Sequence, residues 1–153
     1  MQDSTTRGDW PGQYGSKGYV FCHYEPDGSH RIRLPEFTDS IRFAKTGGLH
    51  IATRTDDRRA PVSEDGSGTR NAGTVVTLDP APCNQTMTVD IRNKHDGPYR
   101  LALYFVDWEK TGRRSAVEVF DLDDKRLLMP VQIVRDYREG RYVVLSLEGS
   151  VRL

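Results

Sequence analysis

Asp107-Trp108 and Arg113-Arg114 stand on either side of one short polar turn, Glu109-Lys110-Thr111-Gly112. Together they offer the chemistry that recognises a sugar. An indole face stacks on the C–H face of a pyranose ring. A carboxylate accepts from vicinal hydroxyls, and a guanidinium fork holds a hydroxyl pair or the carboxylate of a uronic acid. Trp10 and Tyr14 add two ring faces from a glycine-rich stretch, where the backbone can approach a ligand closely. Trp10, Tyr14, Asp107, Trp108, Arg113 and Arg114 are therefore the candidate carbohydrate-binding residues. The competing account is packing: an Asp107–Arg114 ion pair locks the turn, Trp108 covers a sheet edge, and the opening aromatics pin a loop. For Tyr14 and Tyr19, flanked by glycines, packing fits better, since large aromatics bury well.

Catalytic signatures are scarce. The four histidines, His23, His30, His50 and His95, lack metal-ligand spacing. Gly66-Ser67-Gly68 is not a nucleophile elbow, and there is no phosphate-binding Gly-x-x-x-x-Gly-Lys. A glycosidase needs two carboxylates facing a cleft, for which Asp107 and Glu118 would serve. Acids are so plentiful here that this test has little force, and most are expected to be solvated turn residues. Asp121, Asp123 and Asp124 are close enough in sequence to contribute to a structural calcium, which takes six to eight oxygen ligands. Acidic turns occur as readily without a metal, so no cofactor is assigned. Arg7-Gly8-Asp9 matches the integrin tripeptide but sits inside a larger glycine/aromatic pattern that explains it better. Asn84-Gln85-Thr86 is a glycosylation acceptor triplet, meaningful only in a eukaryotic secretory pathway.

At 153 residues the chain is read as one domain, residues 1–153, long enough to bury a sizeable core. Its 22 basic and 22 acidic residues cancel. Its arginines are scattered rather than striped, which argues against a nucleic-acid partner. No apolar run approaches the ~20 residues of a membrane helix, so no membrane insertion is expected. The opening Met-Gln-Asp-Ser-Thr-Thr-Arg has no hydrophobic stretch and is not a signal peptide. Cys22 and Cys83 form no Cys-x-x-Cys pair; they read as two buried thiols, or as one disulfide in an exported protein.

The elements that must position these groups are short strands. Leu101 to Val106 is apolar on both faces, as in a covered central strand, and Ala116 to Phe120 is read as its return partner in a hairpin. Further strands are expected at Tyr19–Cys22, Ser40–Ala44, Leu49–Thr53, Thr74–Leu78, Met87–Ile91, Tyr142–Leu147 and Val151–Leu153, while Arg31–Leu34 is brief and interrupted by Pro35. Leu127–Val134 reads as extended. Tyr24 to Ser29, Thr46-Gly47-Gly48, Asp79-Pro80-Ala81-Pro82 and Asn93 to Pro98 carry turn chemistry. Arg54 to Asn71 is a long polar loop of the kind that is functional or mobile. No segment shows a sustained helical stripe. About nine short strands at regular spacing predict an all-β fold, a two-sheet antiparallel β-sandwich of jelly-roll type. Its core is expected to include Val89, Ile91, Leu101, Leu103, Phe105, Val117, Val119, Val143 and Leu145.

Two stretches carry a resemblance. Thr6-Arg7-Gly8-Asp9-Trp10-Pro11-Gly12-Gln13-Tyr14-Gly15-Ser16-Lys17-Gly18-Tyr19 resembles the opening Thr-x-Gly-Asp/Asn-Trp-x-Gly-x-Tyr-Gly-x-x-Gly-Tyr of a carbohydrate-binding-like β-sandwich accessory module of bacterial polysaccharide-degrading enzymes. Leu101 to Trp108, Gly112-Arg113-Arg114 and Val117 to Asp121 look like that module's middle. The resemblance implies a non-catalytic carbohydrate-binding or accessory module of a glycoside hydrolase or related enzyme. It would be excised from a longer extracellular or periplasmic chain, with that chain's catalytic domain as a partner. It supplies no catalytic residues. The family pattern continues past a strand like Val151-Arg152-Leu153 into one more strand; either that last strand is missing here or the sheet closes differently. Two other readings stand beside it: a structural β-sandwich bracing a neighbouring catalytic domain, and a small glycan-acting hydrolase.

Overall fold

The structure is a computed structural model that describes residues 1–77 and 86–153. The expected turn at Asp79–Pro82, the end of the Thr74–Leu78 strand, Cys83 and most of the Asn84 triplet lie outside the described residues. The protein is all-β, with thirteen strands and no helix among the described residues. In chain order these are β1 (Gln2–Asp3), β2 (Tyr19–Phe21), β3 (Arg31–Arg33), β4 (Thr38–Ala44), β5 (Thr46–Ala52), β6 (Ala72–Thr77) and β7 (Thr88–Asn93). There follow β8 (Pro98–Phe105), β9 (Ser115–Val117), β10 (Phe120–Asp121), β11 (Gln132–Val134), β12 (Arg141–Glu148) and β13 (Val151–Arg152). All strand pairs are antiparallel.

Two sheets build the core, one ordered β1-β12-β8 and the other β10-β13-β7-β4. The period-2 alternation explains how. Register sets Leu103 opposite Val143 and Leu101 opposite Leu145, so one face of β8 and β12 is apolar along its middle, with Arg141 opposite Phe105 at its end. In the other sheet Ile91 stands opposite both Ile41 and Val151. These faces meet in one cluster with Val117, Val119, Val134 and Tyr137; of the core residues expected from the sequence, Ile91, Val117, Val119, Val143 and Leu145 are buried in it, and Val89, Leu101, Leu103 and Phe105 are partly buried against it.

The opposite face of β8 and β12 is covered too. Tyr142 lies between Tyr14 and Tyr104, with ring centroids 4.3 and 4.5 Å away and near-parallel planes. The Tyr142 hydroxyl donates to the Arg7 carbonyl and the Tyr104 hydroxyl to that of Arg59. The opening loop and the Arg54–Asn71 segment thus form a lid of ordered backbone over this face. Gly8 joins the two: its N–H donates to the Arg58 carbonyl, and its carbonyl accepts from Val62. A Cβ on Gly8 would lie 2.1 Å from the Ala60 oxygen. Arg7-Gly8-Asp9 is therefore a packing element, with Asp9 bound by Arg58 and Arg70.

Three expectations need correction. The hairpin between Leu101–Val106 and Ala116–Phe120 does not form. β8 pairs with β12 over eight residue pairs, whereas β9 makes three with β11. The long, matched apolar partner wins over the nearby short one, because each added pair buries more surface. The Ala116–Phe120 run is also broken, with β9 ending at Val117 and β10 starting at Phe120. Thr46-Gly47-Gly48 is no turn but the start of β5; the chain only bends at Lys45, with φ 57°, passing from its pairing with β7 to its pairing with β6. Gly48 is required by close approach, since a Cβ there would lie 2.2 Å from the Thr74 oxygen.

This packing predicts a contrast between two glycines. Gly8→Ala should destabilise by about 1–3 kcal/mol through overpacking against backbone. Gly12→Ala has open space around it and φ 84°, so it should cost about 1 kcal/mol of backbone strain. Urea unfolding of both variants measures the difference.

Candidate functional site

The turn after β8 is built on Asp107, whose side chain is 1% exposed. Its Oδ2 accepts the backbone N–H groups of Gly112 at 2.7 Å and Arg113 at 3.2 Å. Its Oδ1 accepts the Thr111 hydroxyl at 3.3 Å. The Asp107 N–H donates to the Tyr137 carbonyl, fastening the turn to the loop that precedes β12. Burial alone would raise the Asp107 pKa. The N–H groups of Arg113, Gly112 and Thr111 outweigh it and hold the carboxyl below its usual range.

The Asp107–Arg114 ion pair of the competing packing account is absent among the described residues. Arg113 is the approaching arginine, its Nε 3.8 Å from Asp107 Oδ1 and its Nη2 2.5 Å from Glu109 Oε2. Arg113 and Arg114 are both exposed. Trp108 is half-buried, with the Arg59 guanidinium 5.0 Å from its ring centroid.

Arg59 is the residue that sequence reasoning missed. Its side chain is held by Asp57, with Nε 3.0 Å from each carboxylate oxygen and Nη2 2.6 Å from Oδ2. Its Nη1 donates to the Arg138 carbonyl at 3.1 Å and reaches the Asp107 and Trp108 carbonyls at 3.4 Å. Arg59 therefore clamps the turn and the 135–140 loop from one side while lying over the indole. The hydrogen bonds from Arg59 keep the Asp57 carboxyl below its ordinary pKa. Nothing in Asp56-Asp57-Arg58-Arg59 separates a clamp from a solvated charge run, so only the fold reveals it.

The opening-loop candidates occupy different surroundings. Trp10 is 4% exposed. Its indole N–H donates to the Val62 carbonyl at 2.7 Å, and its ring packs on Tyr19 and Phe21 with centroids 5.2 and 5.1 Å away. A Cβ on Gly15 would lie 2.5 Å from the indole, so this glycine lets the loop close over Trp10. Tyr14 stacks on Tyr142, and its hydroxyl donates to Asp3, with its pKa pushed up to about 12 by burial and that carboxylate. Asp3 also accepts from the N–H and hydroxyl groups of Thr5 and Thr6. Trp10 and Asp107 are thus withdrawn from the surface, and the stacked Tyr14 is half-buried. Trp108, Arg113 and Arg114 remain together at the tip.

The acidic turn after β10 is accounted for locally. Asp121 accepts the N–H groups of Asp123 and Asp124, while Asp123 pairs with Arg92. No group of three His, Cys, Asp or Glu side chains among the described residues has metal-binding geometry. Cys22 has no disulfide partner among the described residues, and burial pushes its thiol pKa up to about 11.

Asp107→Ala should destabilise by about 2 kcal/mol, since the turn loses its acceptor for several donors. Because the folded pKa is depressed, the stabilisation is complete above the unfolded carboxylate value of about 3.9 and fades as pH falls through the lower folded value. The stability gap between the wild type and Asp107→Asn should therefore narrow on acidification, as read by urea unfolding at neutral and at strongly acidic pH.

Comparison with known proteins finds no matching family model, no matching curated protein and no matching solved structure.

Proposed function

We propose that the chain is a non-catalytic accessory module of a glycan-degrading enzyme, a β-sandwich of jelly-roll type that binds carbohydrate at the tip formed by Trp108, Arg113 and Arg114. The observation that carries this reading is a partly exposed tryptophan on a preorganised turn. Asp107 fixes the turn backbone and Arg59 backs the indole, so little conformational entropy remains to be lost when a sugar stacks there. The resemblance of Thr6 to Tyr19 to the opening of such modules supports the same conclusion. In this reading the parent enzyme is extracellular or periplasmic, and the catalytic chemistry belongs to another domain of it. The saturation of Asp107 by donors of its own turn weighs against its serving with Glu118 as an acid–base pair.

A second reading, a structural brace for the neighbouring catalytic domain, is favoured by one observation. Trp10, the signature aromatic of the opening motif, is consumed in packing.

Trp108→Ala separates the two. Under the binding reading, affinity for the cognate glycan falls by about 0.5–1.5 kcal/mol or more as stacking is lost, while stability changes little. Under the brace reading neither wild type nor variant binds a glycan, and at this half-buried position stability falls by less than the roughly 3–5 kcal/mol of a core tryptophan. Trp10→Ala is the reference for that larger loss. Glycan-array binding and thermal unfolding of both variants give the answer.

A further inference from the structure

We infer that the glycan bound at this tip is anionic, a polysaccharide bearing carboxylate or sulfate groups; the inference rests on the carbohydrate reading of the same surface. The motivating feature is a set of guanidinium groups that the fold gathers from two separate segments. Arg113 and Arg114 follow the Asp107 turn, and Arg135 and Arg138 follow β11. The register of β9 and β11 sets Ser115 opposite Val134. Arg114 and Arg135 are therefore the next positions outward on neighbouring strands. The Ser115 and Tyr137 hydroxyls lie 2.9 Å apart and tie the two segments together. Arg138 brings its Nη2 to within 3.2 Å of where a Gly112 Cβ would stand, beside Arg113.

The carboxylates of this region neutralise only part of the set. Glu109 pairs with Arg113, and Glu139 pairs with Lys110 and lies 4.0 Å from Arg7. Asp107 is buried within its turn. Asp136 is the remaining acid between the arginines. Among the described residues, Arg114, Arg135 and Arg138 form no salt bridge, and all three are exposed. Like charges gathered this way repel unless water, salt or a bound anion screens them. Guanidinium forks match carboxylate and sulfate oxygens, and Trp108 beside them supplies a stacking plate for the sugar ring. A nucleic acid is the less suitable polyanion. The chain's net charge is zero and acids are interspersed through the patch, so the long basic track that phosphate backbones require is missing.

Affinity electrophoresis and calorimetric titration of the intact chain test this with polygalacturonate, chondroitin sulfate, neutral dextran, neutral xylan and a short DNA duplex. Expected is binding to one or both anionic glycans that weakens about tenfold or more between 50 and 300 mM salt. Polygalacturonate and chondroitin sulfate separate carboxylate from sulfate recognition. The double variant Arg114→Gln/Arg138→Gln should lose at least about tenfold in affinity, at an unchanged melting temperature. Arg135→Gln should give a smaller loss of the same kind. Salt-independent binding to a neutral glycan alone would overturn the inference and leave the carbohydrate reading standing. No binding to any glycan would overturn both. Equal or tighter binding to the duplex, or anionic binding unchanged in the arginine variants, would also overturn it.

Discussion

Eight residue pairs join β8 to β12, and most of the molecule is arranged to cover the two faces of that ladder. One face meets the β4-β7-β13 side in the aliphatic core. The other is roofed by Tyr14, the opening loop and the Arg54–Asn71 segment. A strand pair buried on both sides must be apolar throughout or carry polar tips that find partners. Tyr104 and Tyr142 solve the second problem by stacking their rings and sending their hydroxyls to backbone carbonyls of the covering loops. The loops are therefore ordered by the ladder they cover, although they contain little regular structure of their own.

That arrangement explains why the end of β8 is a rigid platform. The chain leaves Phe105 and turns at once around a buried carboxylate. A buried charge is costly unless it is paired or hydrogen-bonded, and Asp107 meets that condition with donors from its own turn. The Arg59 clamp adds a contact from a segment nearly fifty residues away in sequence, linked to β8 by the Tyr104 hydroxyl. The same arginine holds the turn, the 135–140 loop and the indole of Trp108. A change at Asp57 would therefore be transmitted to the tip through Arg59, without touching any group exposed there.

The aromatic residues divide between two tasks. Trp10, Tyr19, Phe21 and Tyr24 form a small second nucleus where the core sheets do not reach, with Tyr24 bonded to the Pro61 carbonyl and Trp10 to that of Val62. Their glycine neighbours serve this packing, as Gly15 does by lying on the indole. Trp108 belongs to the other group. It rests on a cation rather than in an apolar nest and stays partly open to solvent. The contrast between the two tryptophans is one of environment, since both sit among polar and glycine residues in the sequence.

Alternating apolar residues were enough to declare an all-β chain and to name core positions from Val89 to Leu145, because period-2 patterning states directly which side of a strand is buried. Turn chemistry was equally local: Asp27-Gly28 turns as its residues require, with Asp27 capping Ser29 and Gly28 at φ 84°. Pairing was not legible in this way. A strand's pattern tells which face it buries but not which neighbour it takes, so the nearby Ala116–Phe120 run looked like the partner that Arg141–Glu148 turned out to be. The fates of Asp107, Arg59 and Trp10 were likewise decided only in three dimensions. Whether a carboxylate is solvated or buried, an arginine idle or clamping, an indole open or covered, depends on segments that approach from far along the chain. Residue type sets what each group can bond; the tertiary structure decides what is left for it to bond to.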